Sequence, residues 1–403
     1  MVNFRVQRAI LVVIVAAVLA RVVVPYLDAG AFIVRAAGLT DGLPGRLAAA
    51  RAQRTSRESL PPIATRHGDV PARLYRPTSF SRTVLLVPGV HMDGIDETRL
   101  VGMAEDLAET GYAVVTVAPP DLRQFRVTPA NTDVIEDAAR WIASRPDLAP
   151  DGRIGMVGIS FSGGLSIVAA GRDSLRGKVA FVMSFGGHGD LGRVMRYLTS
   201  GKTPPLPGDV TAGGHVAGVD TMQVKPPHDY GVTVVLLTFA DRVVPAEQVT
   251  PLREAILIYL TASSLTLVDR SQAEAAFARA QAAGEALPEP ARTLMRQVTT
   301  RSVDQLGPRL FPIVDGLFGD AAVAAMSPER VPAPTAPVFL LHGSEDTVIP
   351  PVETVLLADH LRHRTQVTGL LSGLITHAEV DKSAAASDVW ALTRFWRALM
   401  GAS

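Results

Sequence analysis

Apolar residues follow two rhythms along this chain. From Leu60 to about residue 190, short unbroken apolar runs alternate with stretches in which apolar residues recur every three or four positions. Unbroken runs suit strands buried on both faces, and the second spacing suits one-sided helices. The alternation therefore predicts an α/β fold: a doubly wound, mostly parallel sheet. Strands are expected at Thr83–Val87, Ala113–Val117, Ile154–Val157 and Ala180–Ser184, with helices over Leu100–Thr110, Val134–Ser144 and Ser162–Ala170. Ahead of them, Arg73-Leu74-Tyr75 after the His67-Gly68-Asp69 turn predicts an antiparallel hairpin. The pattern resumes with a strand at Val338–Leu341, a helix near Val352–Arg362, a strand near Gln366–Leu370 and a last helix over Ala384–Met400.

Two regions break the rhythm. Residues 187–230 are rich in Gly and Pro, Val232–Phe239 suits a strand or a helix, and 251–325 are Ala- and Leu-rich with helical spacing. This reads as a helical cap inserted into an α/β core. At the other end, Ala9–Ala20 is uncharged and apolar after Arg5 and Arg8, and Ala9–Leu27 contains one charge, Arg21. A single-pass membrane anchor is the expectation there. A secretory signal cleaved after Val18-Leu19-Ala20 and a buried core helix are the alternatives. The five arginines from Arg35 to Arg57 favour a cytoplasmic catalytic domain if the segment is an anchor, whereas cleavage would mean export. The resulting division is a hydrophobic segment over 1–35, core over 60–190, cap over 191–333 and core again over 334–403.

Composition narrows the function. Lys plus Arg and Asp plus Glu are 39 each, so there is no basic excess with which to bind nucleic acid. Hydrophobic residues make up 47% and charged ones 19%, which supports a large core and argues against disorder. Cysteine is absent, which removes disulfides, thiolate metal sites and cysteine nucleophiles. The histidines are scattered, without the spacing of a metal site, and no phosphate-cradling loop appears, so no cofactor or metal is expected.

The chemistry gathers at Gly158-Ile159-Ser160-Phe161-Ser162-Gly163-Gly164, on a strand-to-helix turn. Such a turn needs small neighbours, lifts a serine hydroxyl above the sheet and turns the next residue's N–H, that of Phe161, towards the same space. A plain helix cap would use the same serine without chemistry. A nucleophile also needs a base and an orienting acid, which follow the serine in the order acid, then His, on loops after late strands. Asp346 follows the strand at Val338–Leu341, and His377 follows the next strand thirty-one residues on. Asp241 and Asp190 are weaker candidates for the acid. His360 and His363 read as surface residues and His342 as structural.

With these segments in place, the chain resembles the α/β-hydrolase superfamily, in particular dienelactone-hydrolase-like esterases and acylaminoacyl-peptidase-like serine hydrolases. The likeness covers 62 to about 190 and 335–400, and is carried by the turn at Ser160, His342-Gly343-Ser344-Glu345-Asp346 and Thr376-His377-Ala378-Glu379. It implies a triad of Ser160, Asp346 and His377. It also implies a second oxyanion donor in the loop after the first parallel strand, where the usual His-Gly pair reads Pro88-Gly89 and Val90 holds the donor's position. His91 beside it lines the pocket or bonds its own loop. The expected function is hydrolysis of carboxylic esters, with small-molecule or lipid-like substrates carrying apolar acyl groups. An amidase or peptidase with the same triad and a non-catalytic binding protein of the same fold are the alternatives.

Overall fold

A computed structural model describes residues 21–39, 41–206, 215–266, 269–317, 319–375 and 386–402. Its centre is a nine-stranded sheet: β1 (Thr55–Thr65), β2 (Gly68–Pro77), β3 (Arg82–Val87), β4 (Tyr112–Val117), β5 (Ile154–Ile159), β6 (Val179–Phe185), β7 (Val216–Ala217), β8 (Val338–Gly343) and β9 (Val367–Ser372). The spatial order is β1-β2-β4-β3-β5-β6-β8-β9-β7. The β1–β2 hairpin and its junction with β4 are antiparallel, and every other pairing is parallel. The strands that read as unbroken apolar runs are the central ones. All six residues of β3, β4 and β8 are buried, because helices cover both faces.

Local chemistry sets the helix limits. Glu97 caps Thr98–Glu109 by accepting the Leu100 N–H at 2.7 Å, and Gly111, at φ 98°, lets the chain turn into β4. The helix Pro129–Ala143 begins with proline at its first position, where no N–H is needed. One apolar cluster lies on each side of the sheet: one holds Ile135, Leu165 and Leu340, the other Leu107, Phe181 and Phe395.

Between β6 and β8 the chain leaves the sheet for Leu191–Ser200, Asp229–Thr238, Ala246–Leu265, Arg270–Glu285, Ala291–Thr299 and Val303–Gly316, returning once to lay β7 beside β9. Val232–Phe239, ambiguous by pattern, is helical as far as Thr238, and Gly231 to Leu237 are buried. With no face towards water, it offered no one-sided spacing to read. Leu252, Ile256, Tyr259 and Leu260 join the same continuous cluster as Ile135 and Leu340. The insertion and the core thus share one interior.

The N-terminal anchor is corrected. No helix among the described residues is long and apolar enough to cross a membrane. The described part of that segment, helical over 21–36, is docked on protein. Ala29 and Phe32 are buried, the Phe32 ring lies 4.3 Å from Trp396, and Arg35 pairs with Glu109 at 2.9 Å. Of the apolar residues that suggested a lipid-facing span, Val22, Val23, Val24 and Leu27 are exposed, whereas Ala29 and Phe32 just beyond them join the cluster of the helices Ala386–Met400 and Thr98–Glu109. Residues 9–20 and the Val18-Leu19-Ala20 cleavage site lie outside the described residues.

Candidate active site

The turn between β5 and the helix Phe161–Ala170 is bent to its limit. Ser160 sits at φ 55°, ψ −131°, a region that ordinary residues avoid and that costs of order 1–3 kcal/mol to hold. Its neighbours explain how it is held. A side chain on Gly158 would run into the Ser162 carbonyl, one on Gly163 into Ser184 Oγ, and one on Gly164 would come within 2.5 Å of the His188 ring. Ser160 N–H donates to Phe185 C=O at 2.7 Å, and its C=O accepts from Gly163 N–H at 2.8 Å. Ser160 is thus presented at the carboxyl edge of the sheet, 9% exposed. Phe161 N–H begins the helix, where the first N–H groups lack intrahelical acceptors.

The loop after β3 crosses directly over this turn. Ser162 Oγ donates to Pro88 C=O at 2.5 Å in a buried contact, and a Cβ on Gly89 would lie 3.3 Å from Ser160 Cβ. Val90 therefore leaves the clamp beside Ser160. Position 162, where glycine would be commoner, holds a serine that fastens the two loops together. Nothing in the local pattern announces this bond, because its partner lies 74 positions away. His91 Nδ1 accepts the Asp93 N–H at 3.3 Å, so His91 bonds its own loop. Burial pushes its pKa down, against the pull of Glu97 and Asp93.

Asp346 lies on the same edge, with β6 between its strand and that of Ser160. The strand ends are laced together: Gly186 N–H donates to Leu341 C=O at 2.7 Å, and a Cβ on Gly186 would come 3.6 Å from Asp346 Oδ2. Asp346 is 3% exposed, and its Oδ1 accepts the N–H groups of Val348 at 2.8 Å and Ile349 at 3.1 Å. The carboxylate is fixed by its own turn, with Oδ2 3.4 Å from His342 Nε2. His342 is fully buried. Its Nε2 lies 2.9 Å from Ile349 C=O, which only accepts, so that nitrogen carries the proton and Nδ1 accepts from Thr354 Oγ1 at 2.7 Å. Both ring nitrogens are thereby committed.

His377 lies outside the described residues. Before it, β9 pairs with β8 so that Ser372 stands opposite Gly343, and Ser344 N–H donates to Ser372 C=O at 3.1 Å. The chain therefore leaves β8 towards Asp346 and leaves β9 from neighbouring positions.

The other acids stand elsewhere. Asp241 is 52% exposed, in surface ion pairs with Arg242 and Arg253. Asp190 caps the helix Leu191–Ser200, accepting Arg193 N–H at 2.9 Å and the Arg330 guanidinium at 2.6 Å. Burial pushes its carboxyl up, yet these donors hold it below the usual carboxylate range. Sequence reasoning also missed His188. It is fully buried, its ring lies 5.8 Å from the Phe161 ring, and its Nε2–H donates to Met326 C=O at 2.9 Å.

No protein-family model matches this chain, and no curated protein does so significantly. Solved structures do resemble it. An esterase from Pyrobaculum calidifontis is 14% identical, with 87% of this chain and 84% of the esterase covered and a TM-score of 0.44. An acylaminoacyl peptidase from Pyrococcus horikoshii is 13% identical, with 89% and 43% covered and a TM-score of 0.43. A puromycin-hydrolysing peptidase from Mycobacterium tuberculosis is 15% identical, with 87% and 40% covered and a TM-score of 0.41. The chain thus spans less than half the length of either peptidase. These neighbours are α/β hydrolases.

Proposed function

We propose that this chain is a serine hydrolase acting on carboxylic esters, with Ser160 as the nucleophile. One observation carries the reading. A buried strand-to-helix turn holds a serine at φ 55°, fastened through the neighbouring Ser162 Oγ to Pro88 in the loop after β3. A serine that merely capped a helix would sit in relaxed extended backbone and bond the first turn, whereas Ser160 makes no side-chain cap bond. In this reading His377 takes the Ser160 proton as Oγ attacks the acyl carbonyl. Asp346 holds the imidazole in the required tautomer and favours its cation. The N–H groups of Phe161 and Val90 receive the oxyanion. His377 then returns the proton to the leaving alcohol, and water, deprotonated by the same base, releases the acid.

A fluorophosphonate probe should label the wild-type chain at Ser160 and leave Ser160→Ala unlabelled. With p-nitrophenyl esters of graded chain length, Ser160→Ala should lose about 10⁴-fold or more in kcat. Activity above about a tenth of wild type in that variant rejects the nucleophile. Faster turnover of the matching anilides than of the esters assigns the same machinery to amides.

A further inference from the structure

The insertion reaches the β3 loop through a polar contact. Tyr230, in the first turn of the helix Asp229–Thr238, donates its hydroxyl proton to Val90 C=O at 3.2 Å. Two peptide groups back along the same loop, Pro88 C=O accepts from Ser162 at 2.5 Å. The Gly89–Val90 peptide, whose N–H faces the oxyanion in the proposed reaction, therefore has a hydroxyl clamp on either side. One comes from the nucleophile's helix, the other from the insertion.

Tyr230 is itself held. Its ring lies 6.3 Å from that of Phe125, inclined at 66°. Phe125, 2% exposed, is one of three non-glycine residues at positive φ among those described, at 57°. A bulky residue in that conformation is strained, and it persists only where packing compensates. The strained loop after β4 thus backs the ring that clamps the loop after β3. Burial raises the Tyr230 hydroxyl's pKa above its ordinary value, so it remains a donor through the neutral range.

We propose that Tyr230 is a positioning residue for the oxyanion site, orienting the Gly89–Val90 peptide from the insertion. The insertion thereby contributes to catalysis without touching the reacting atoms, and the site is complete only when that helix is docked. The inference rests on the function proposed above and adds a residue to it.

The experiment uses the full chain and Tyr230→Phe, which removes one oxygen and keeps the ring. Fluorophosphonate titration first counts reactive Ser160 sites in each preparation, so misfolded material is excluded from the rates. Per titrated site, kcat on a p-nitrophenyl ester should fall about 10-fold, less than the roughly 10²–10³ that follows loss of a direct oxyanion donor. KM should stay within about twofold, and benzeneboronic acid, whose tetrahedral adduct places an oxygen in the hole, should bind weaker by the same factor as kcat. An unchanged kcat per site overturns the proposal, as does a rise in KM alone, which would make Tyr230 a pocket wall. Failure of the wild type to label is a separate result. It removes the function itself, and the role of Tyr230 with it.

Discussion

At the scale of single residues, the proposed site depends on two held groups besides the proposed nucleophile. Ser162→Ala removes the donor to Pro88 C=O and leaves a buried carbonyl unmatched, a loss of about 1–3 kcal/mol. It should lower both the urea midpoint and the turnover per titrated site, and a change in stability alone would mean that the clamp is structural only. Asp346→Asn keeps the shape but offers an amide where an imidazole N–H needs an acceptor, for which a kcat loss of about 10⁴-fold is expected. Asp241→Asn, on an exposed ion pair, should leave kcat within about twofold. Steady-state rates on one ester decide between the two acids. The turn at Ser160 was legible from composition because its crowding excludes all but small residues at 158, 163 and 164. Tyr230 was not, because its bond to Val90 joins positions 140 apart and neither neighbourhood carries a motif.

At the scale of elements, unbroken runs such as β3 and β4 declared themselves because burial on both faces leaves no polar position in them. The helix Leu191–Ser200 was hidden by its glycine-rich setting. Its signals were present all the same: Asp190 as cap, Val194, Tyr197 and Leu198 at helical spacing, and Gly201 in the left-handed conformation as stop. The helix over 21–36 was misread for a physical reason. An apolar stretch does not announce what will cover it: Val22, Val23, Val24 and Leu27 stay exposed, and the helix docks through Phe32, just past them, on Trp396 from the far end of the chain. The buried side of that helix should therefore matter to stability. Phe32→Ala should cost about 3–5 kcal/mol, whereas Val23→Ala, 45% exposed, should cost less than about 0.5 kcal/mol. Denaturant unfolding of the two variants tests this, and equal midpoints would show that the docking contributes nothing.

At the scale of the whole molecule, His188 links stability to pH. Its Nδ1 has no hydrogen-bond partner among the described residues and its ring is fully buried, so desolvation lowers its pKa from 6.5 to about 4. Between those values the unfolded chain binds the proton and the folded one does not, so stability falls as pH drops from 6.5 towards 4. Between pH 7.5 and 4.5 this one group should remove about 2–3 kcal/mol. Carboxylates add to the same trend, so the comparison is with His188→Gln. Urea unfolding at both pH values should show the wild type losing more by about that amount, and equal losses would return His188 to an ordinary titration.

The two-residue strand β7 reaches further than its length suggests. Gly369 N–H, on β9, donates to His215 C=O at 2.8 Å, and Val216 lies so close that a Cβ at Gly369 would meet it at 2.7 Å. The opposite margin, β1, is broken in register between Leu60 and Ile63, where two prolines remove donors from the ladder. Each rim of the sheet is therefore blunted by a different device, and the one at β9 is borrowed from the insertion. A chain shortened by removing that insertion would bare the outer backbone of β9 to any extended segment nearby. Its first symptom would be self-association and precipitation rather than altered selectivity.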